Sequence, residues 1–406
     1  MASASRTSER GLDWFTFFVA DIQTGFGPYL AVYLTTRKWN QADIGLLLAF
    51  GSIAGLLSQI PGGWLVDRVS SKRRAAAAAV IGVGVSAFLI AALPTLAGVL
   101  VAKLVHVTSS AVLGPAIAAI SLGLVGHAAI GPRLGRNTRF AAIGNGLAAG
   151  VMGAVGYFIS PQAVFFATAA LAIPTVWALT SIRDSEIDPI RADGGLDAPE
   201  NAPTGSVLDL LRKRALTAFA LCIFLFQAAN AAMLPLVGSE MTLLSVQWAS
   251  VLIAVSIVVP QLVAAAIAPG VGRLAASLGR RPVLLAGFAV LPLRAILLTF
   301  YRDPASIIVV QALDGLSGAA LGVLVPLVLA DISRGTGHFN LAQGFLATAT
   351  GLGAATSTAV AGYLATRFGV TAACAALAVA AVCAFVAVLI AMEETMPRSE
   401  GSAEPK

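Results

Sequence analysis

The stretch PGGWLVDRVSSKRR, from Pro61 to Arg74, lies between two long apolar segments, and it has an echo in PGVGRLAASLGRRP, from Pro269 to Pro282. In each copy a Pro-Gly pair and a further Gly close one hydrophobic run. A short polar link with several cations follows, and a new apolar run begins at once. This reads as a hairpin between two membrane helices, its cations facing the cytoplasm, and its recurrence points to an internal duplication.

Composition supports the same class. Of 406 residues, 58% are hydrophobic and only 11% are charged. A helix needs about 20 apolar residues to cross roughly 30 Å of hydrocarbon. Windows of that kind are expected at 12–34, 43–66, 75–94, 97–120, 139–160 and 163–182, and again at 215–237, 246–268, 283–300, 305–330, 340–363 and 370–392. The expected fold is an all-α membrane protein of 12 transmembrane helices in two pseudo-symmetric six-helix bundles, 12–182 and 215–392. A polar linker, 183–214, joins them, and tails 1–11 and 393–406 complete the chain. The apolar stretch from Leu12 carries Asp13 and Asp21 and is long enough to span, so it is read as the first helix and not as a cleaved leader. Lys and Arg gather in alternate links, which places both termini in the cytoplasm of a multi-pass inner-membrane protein. The net charge of +6 is explained by those links, with no nucleic-acid partner. Cys222, Cys374 and Cys383 fall in apolar windows without metal-ligand or disulfide spacing.

The halves also correspond beyond the hairpins. Phe17, Gln23 and Pro28 match Phe224, Asn230 and Pro235. Lys103, His106, Val107, Ser110 and Gly114 match Gln311, Asp314, Gly315, Gly318 and Gly322 at one constant offset. Repeats in parallel order are expected to make two six-helix bundles in the same orientation, related by an axis along the membrane normal.

Gly63, Leu65, Asp67, Arg68, Lys72 and Arg73 resemble the G-x-L-x-D-R-x-G-R-K/R loop of major facilitator superfamily transporters. Gly272, Leu274, Gly279, Arg280 and Arg281 repeat it, with Ala276 where the acid would be and, in the first copy, Ser70 in place of the second Gly. The resemblance implies that helices 1, 4, 7 and 10 line a central cavity. It also implies that Asp67 meets the start of helix 11 and, with the two cationic hairpins, forms a cytoplasmic gate. Lys103 stands where many proton-coupled members carry an Arg, although Val107 replaces an expected Gly. The Gly-Pro pair of drug antiporters is missing from helix 5.

Charges at mid-bilayer are costly and therefore are the leading functional candidates. Asp21 and Asp314 are read as proton or cation sites, with Lys103 and His106 modulating them; the alternative is a static pair of Asp21 with Lys103. Gln23, Thr24, Ser110, Gln227, Asn230 and Gln311 are candidates for hydrogen bonds to substrate. Asp13 is read as solvated or tied to a loop near the inner surface. Arg294 shows no partner in sequence and is read as a structural pair or a snorkelling side chain.

No metalloprotease, nucleophile-elbow or nucleotide-binding motif occurs, so the chain is not read as an enzyme, and neither cofactor nor metal is expected. The expected function is secondary active transport of a small molecule by a monomer in the lipid bilayer. Efflux of a toxic or waste compound in exchange for protons comes first. Proton-coupled uptake of a small metabolite is the alternative, and a non-transporting membrane sensor stands behind both.

Overall fold

A computed structural model describes residues 4–24, 28–195, 207–236, 249–300 and 303–396. The helices are α1 (Arg6–Thr24), α2 (Pro28–Thr36), α3 (Gln41–Arg68), α4 (Lys72–Ala92), α5 (Leu96–Phe158), α6 (Pro161–Thr180) and two short turns, α7 (Pro189–Ala192) and α8 (Val207–Arg212). They continue as α9 (Arg214–Asn230), α10 (Ala249–Ser277), α11 (Arg280–Phe300), α12 (Pro304–Ile332), α13 (Phe339–Phe368) and α14 (Val370–Ala391). Small polar residues begin several of them: the side chains of Asn40, Ser71, Thr95, Ser160 and Asp303 each accept a bond from a first-turn N–H. Such caps satisfy donors that the helix itself leaves open.

Among the described residues, nine helices are long and apolar enough to cross a membrane. One of them, α5, has 63 residues and contains two arms. Asn137 Nδ2 donates to Ser121 Oγ at 2.7 Å, yet 16 residues of straight helix would hold them about 24 Å apart. The chain therefore reverses between them, at Gly126, whose φ of 69° is readily adopted only by glycine. The link expected at 121–138 is thus almost entirely helical, and its cations sit on helix instead of in a loop. The first apolar window is divided as well, into α1 and α2, with 25–27 outside the described residues. Of the expected linker, 196–206 also lies outside them.

Two apolar cores result. Leu12, Phe15, Tyr33, Val83, Val99, Ile120 and Phe165 belong to the first. Phe219, Phe226, Phe288, Leu327, Phe339 and Leu377 belong to the second, and so do Ile130, Leu134 and Ala142 from the return arm of α5. Large apolar side chains such as Leu57, Ile173, Trp177, Phe300, Val309 and Ile390 are left exposed around the bundle. An apolar surface of that extent suits hydrocarbon.

The halves meet along two seams, α3 with α13 and the return arm of α5 with α10. Glycine allows both. A Cβ on Gly135 would lie 2.6 Å from the Ala268 carbonyl oxygen, and one on Gly63 would collide with the Asn340 carbonyl. These contacts lie at the end of the bundle that carries both hairpins, and they close it.

Candidate functional site

Between the halves lies a chamber of about 690 Å³. Gln23 of α1 and Ser110 of α5 line it, as the sequence suggests. Gln59, Asn137, Asn145 and Gln343 line it too, none of which the sequence reading singled out. Asn137 was hidden because its segment read as a loop. The Ser110 hydroxyl and Gln343 Nε2 are buried without a hydrogen-bond partner among the described residues.

Three other expected cavity residues are placed elsewhere. Asn230 Oδ1 accepts from Arg294 Nη1 at 2.6 Å, and Gln311 Oε1 accepts from Arg294 Nη2 at 2.8 Å. Gln227 lies outside the chamber lining, with its Cβ in the α9–α13 packing at Gly353. The side chain of Thr24 lies outside the described set. The physical reason for the first two is Arg294 itself: it is 2% exposed and needs acceptors at its own depth. Of its two expected readings the structural pair holds and the snorkelling side chain does not.

Arg294 also pairs with Asp314. The carboxylate expected to be available for protons is therefore one wall of an ion-paired network. Its side chain keeps 32% exposure and lines a side pocket of about 210 Å³ with Gln261, Thr138 and Asn145. Thr138, Ala141 and Asn145 belong to the chamber as well, so pocket and chamber adjoin.

Asp21 differs. It is 7% exposed, and its Oδ1 has no hydrogen-bond partner among the described residues. It turns away from the chamber, which α1 lines through Thr16, Val19, Ala20 and Gln23. No ion pair joins Asp21 to Lys103 among the described residues, so the static-pair alternative has no geometric basis there. The stem of Lys103 instead lies over Gly51 of α3. His106 is buried one turn further along α5. Asp13 is also buried, at 2% exposure, and pairs with Arg133 and Arg136; of its two expected readings, solvation fails and a tie to the segment expected as a link at 121–138 holds.

At the hairpin end, Asp67 caps α13. Its Oδ1 accepts from Asn340 N at 3.0 Å and Asn340 Nδ2 at 2.8 Å, and its Oδ2 accepts from Leu341 N at 2.8 Å. A carboxylate at a helix N-terminus receives both open N–H groups and the positive end of the dipole. Lys72 works beside that contact. Its ammonium donates to the Val66 and Val69 carbonyls at 2.7 and 3.0 Å and pairs with Asp193 Oδ1 at 2.6 Å. Arg68 stacks on Trp64, and Arg73 donates to the Ile182 carbonyl at 2.6 Å.

Asp193 is the residue the sequence reading passed over as one more linker acid. Its carbonyl accepts from Phe339 N at 3.2 Å, and the Gly194 carbonyl accepts from Gly335 N at 2.7 Å. The linker is thereby tied to the start of α13. Burial pushes the Asp193 carboxyl up to about 7, while Lys72 pulls it down and the charge of Asp67 adds to the rise.

The second hairpin is built in parallel. Gly272 packs on Gly131, Gly279 takes a φ of 97°, and Glu394 accepts from Arg280 N and Arg281 N at 2.8 and 3.1 Å. Arg280 donates to the Ala275 carbonyl and to Asp331, both at 2.8 Å. Where the first copy has Asp67, the second has Ala276, and a hollow of about 260 Å³ lies there with His127, Arg280 and Arg334 around it.

Two like halves closed at one end around a central chamber define a polytopic helical membrane protein of the transporter type. The sequence pattern of the MFS_1 like family matches residues 11–363, and the chain belongs to that family of major facilitator transporters. An uncharacterized MFS-type transporter of Mycobacterium tuberculosis, in strains CDC 1551 / Oshkosh and ATCC 25618 / H37Rv, is 40% identical over 393 residues, covering 95% of this chain and 93% of the relative. The human organic anion transporter MFSD10 (TETRAN) has a similar fold, with a TM-score of 0.71 at 17% identity over 94% of this chain and 99% of that one. A point mutant of the nucleoside transporter NupG superposes with a TM-score of 0.64 at 16% identity over 95% and 100% of the two chains.

Proposed function

We propose that this chain moves a small solute across the inner membrane by alternating access, with bodies 12–182 and 215–392 rocking about the chamber, both termini cytoplasmic, and proton movement as the drive. The observation that carries this reading is the sealed hairpin end. Its contacts are glycine seams, one carboxylate on a helix terminus and the few apolar side chains, Ile130, Leu134 and Ala142, that reach the second core, so the end can part while most of the apolar packing of each half is kept. In this reading Asp67, Lys72 and Asp193 form the cytoplasmic gate, Arg280 and Arg281 hold the second hairpin, and Asp21 carries the proton.

Efflux in exchange for protons is supported by a midplane carboxyl with no fixed partner among the described residues. Uptake of a small metabolite with protons is the alternative, and the carboxamides and hydroxyls set in a largely apolar chamber lining suit a small solute with both polar and apolar parts in either direction. The cargoes named for the two structural neighbours do not transfer readily: among its described lining residues the chamber has no cation for an organic anion and no ring on which a nucleobase would stack.

The test is transport by purified protein in liposomes under an imposed pH gradient, beside Asp21→Asn. Proton movement coupled to solute in the parent and lost in the variant is the expected result. Solute flux that ignores the pH gradient would remove the coupling, and the direction of coupled flux separates export from uptake.

A further inference from the structure

We infer that the hollow at the second hairpin binds a phosphate-type oxyanion, which fills the place that the Asp67 carboxylate fills at the first.

The two seams between the halves are built alike, contact by contact. A Cβ on Gly63 would meet the Asn340 carbonyl and one on Gly344 the Gln59 carbonyl; a Cβ on Gly272 would meet the Gly131 carbonyl and one on Gly135 the Ala268 carbonyl. Residues 59, 63, 131 and 135 have their counterparts at 268, 272, 340 and 344, always 209 positions on. That spacing sets Ala276 in the place of Asp67, and its methyl does face the return arm of α5, 3.7 Å from where a Cβ on Gly131 would stand. Asp67 ties its seam by accepting from Asn340 N and Leu341 N. Gly131 and Pro132 are the counterparts of those two residues, and a proline has no N–H to give. The second seam is thus left with a hollow of about 260 Å³ in place of a carboxylate, and its donors are of another kind.

Those donors are guanidinium groups. Arg280, 6% exposed, gives Nε to Asp331 and Nη1 to the Ala275 carbonyl, while Nη2 makes no hydrogen bond among the described residues. Arg334 is exposed, and its side chain makes neither hydrogen bond nor ion pair among them. Both line the hollow, with His127, Ala128 and Ala276. Asp331 is the acid of the described lining, but its side chain is 4% exposed and its Oδ2 accepts from Arg280 and Thr395, so its charge is spent on Arg280. Glu394 is held by the backbone N–H groups of Arg280 and Arg281 and does not line the hollow. Arg334 is left in excess, and the return arm of α5 begins beside the same space, after Gly126, with the positive end of its dipole. The planar N–H fork of arginine matches the oxygens of phosphate, and a first-turn N–H at Ala128 would add one donor. At about 260 Å³ the hollow is smaller than the roughly 300–1,000 Å³ of sites that enclose drug-sized ligands, so it takes a compact anion or a headgroup. The return arm belongs to the first half and both arginines to the second, so an anion bonded to both bridges the halves as Asp67 does.

Free phosphate and the phosphodiester of an anionic lipid share this chemistry, and the experiment separates them. The purified full chain is melted in detergent with inorganic phosphate against chloride at equal ionic strength, and in nanodiscs of phosphatidylglycerol against phosphatidylcholine. The expected result is a saturable rise in melting temperature with at least one of the two. A rise with phosphate alone supports the site and names a free anion as its ligand; a rise with phosphatidylglycerol alone supports it and names the headgroup. Arg334→Gln should melt like the parent without the anion and raise the midpoint of the response about tenfold, the loss of one charge-assisted contact. Ala276→Asp supplies a carboxylate from the chain itself and should remove the response. No rise with either source, or an unshifted midpoint in Arg334→Gln, would overturn the site. A parent-like response in Ala276→Asp would overturn its placement in the hollow, and should that variant not fold, Arg334→Gln decides alone.

Discussion

If the hairpin end is the gate proposed above, Asp193 makes it sensitive to pH, and the size of the effect follows from its surroundings. Its side chain is 23% exposed, against Lys72 at 2%, and the charges facing it are Lys72 and Asp67, with Asn340 Nδ2 at 3.5 Å as a neutral donor. With the hairpin end closed, its carboxyl sits at about 7, raised from 3.8 by burial. With that end open, the linker is solvated and the group returns toward its ordinary value. A raised value means that the closed state holds more protons. The contribution is therefore complete below about pH 4 and is lost as pH rises through about 7. Integrated from about pH 8 to about pH 6, the linkage favours closure by about 1.4 kcal/mol, a tenfold shift in the ratio of closed to open.

Pulsed spin-label distances between Ser70→Cys and Arg334→Cys, both exposed and on opposite halves, would report that ratio in a background lacking the native cysteines. The closed-to-open ratio should rise about tenfold across that interval in the parent and stay flat in Asp193→Asn. The difference between parent and variant is the quantity that decides. A parent ratio that does not change with pH, or the same slope in Asp193→Asn, would refute the reasoning.

Asp67→Asn puts an amide donor where two or three donors of α13 already point, which should cost the closed state about 2 kcal/mol; turnover should fall more than solute affinity, as read from kcat against KM. Gly63→Val forces a branched side chain onto the Asn340 carbonyl, so a cysteine introduced at Ala347 in the chamber lining, in a background lacking the native cysteines, should become more open to a membrane-impermeant maleimide. Asp314→Asn leaves Arg294 with only neutral acceptors, and a thermal melt should show a loss on the order of 2–3 kcal/mol, whereas Asp21→Asn should melt like the parent and lose only proton-driven flux.

What the sequence could show is governed by range. Hydropathy and loop charge are local, and they yielded the helical class, the apolar windows and the duplicated hairpin. The reversal at Gly126 escaped because no polar run marks it: the cations at Arg133 and Arg136 follow it by a turn or more and are drawn back into the bundle by Asp13. Asp193 escaped because nothing in a linker's composition tells which of its acids will be carried against Lys72.

The network of Arg294 was nearly legible. Arg294 lies six residues from the end of α11, and Asp314 lies ten residues into α12, which runs back the opposite way. At 1.5 Å per residue the two levels are about 9 and 15 Å from the same end, and the gap of about 6 Å is one arginine stem. Two opposite charges at matched depth on consecutive antiparallel helices should be paired before either is given another task, since an unpaired guanidinium at that depth is the more costly arrangement. By that rule Asp314 is committed, Asp13 has cations on α5 within reach, and Asp21 is left as the carboxyl whose charge no fixed cation among the described residues balances. Under the proton coupling proposed above, Asp21 is the carboxyl left to carry it, and the flux of Asp21→Asn is where that proposal stands or fails.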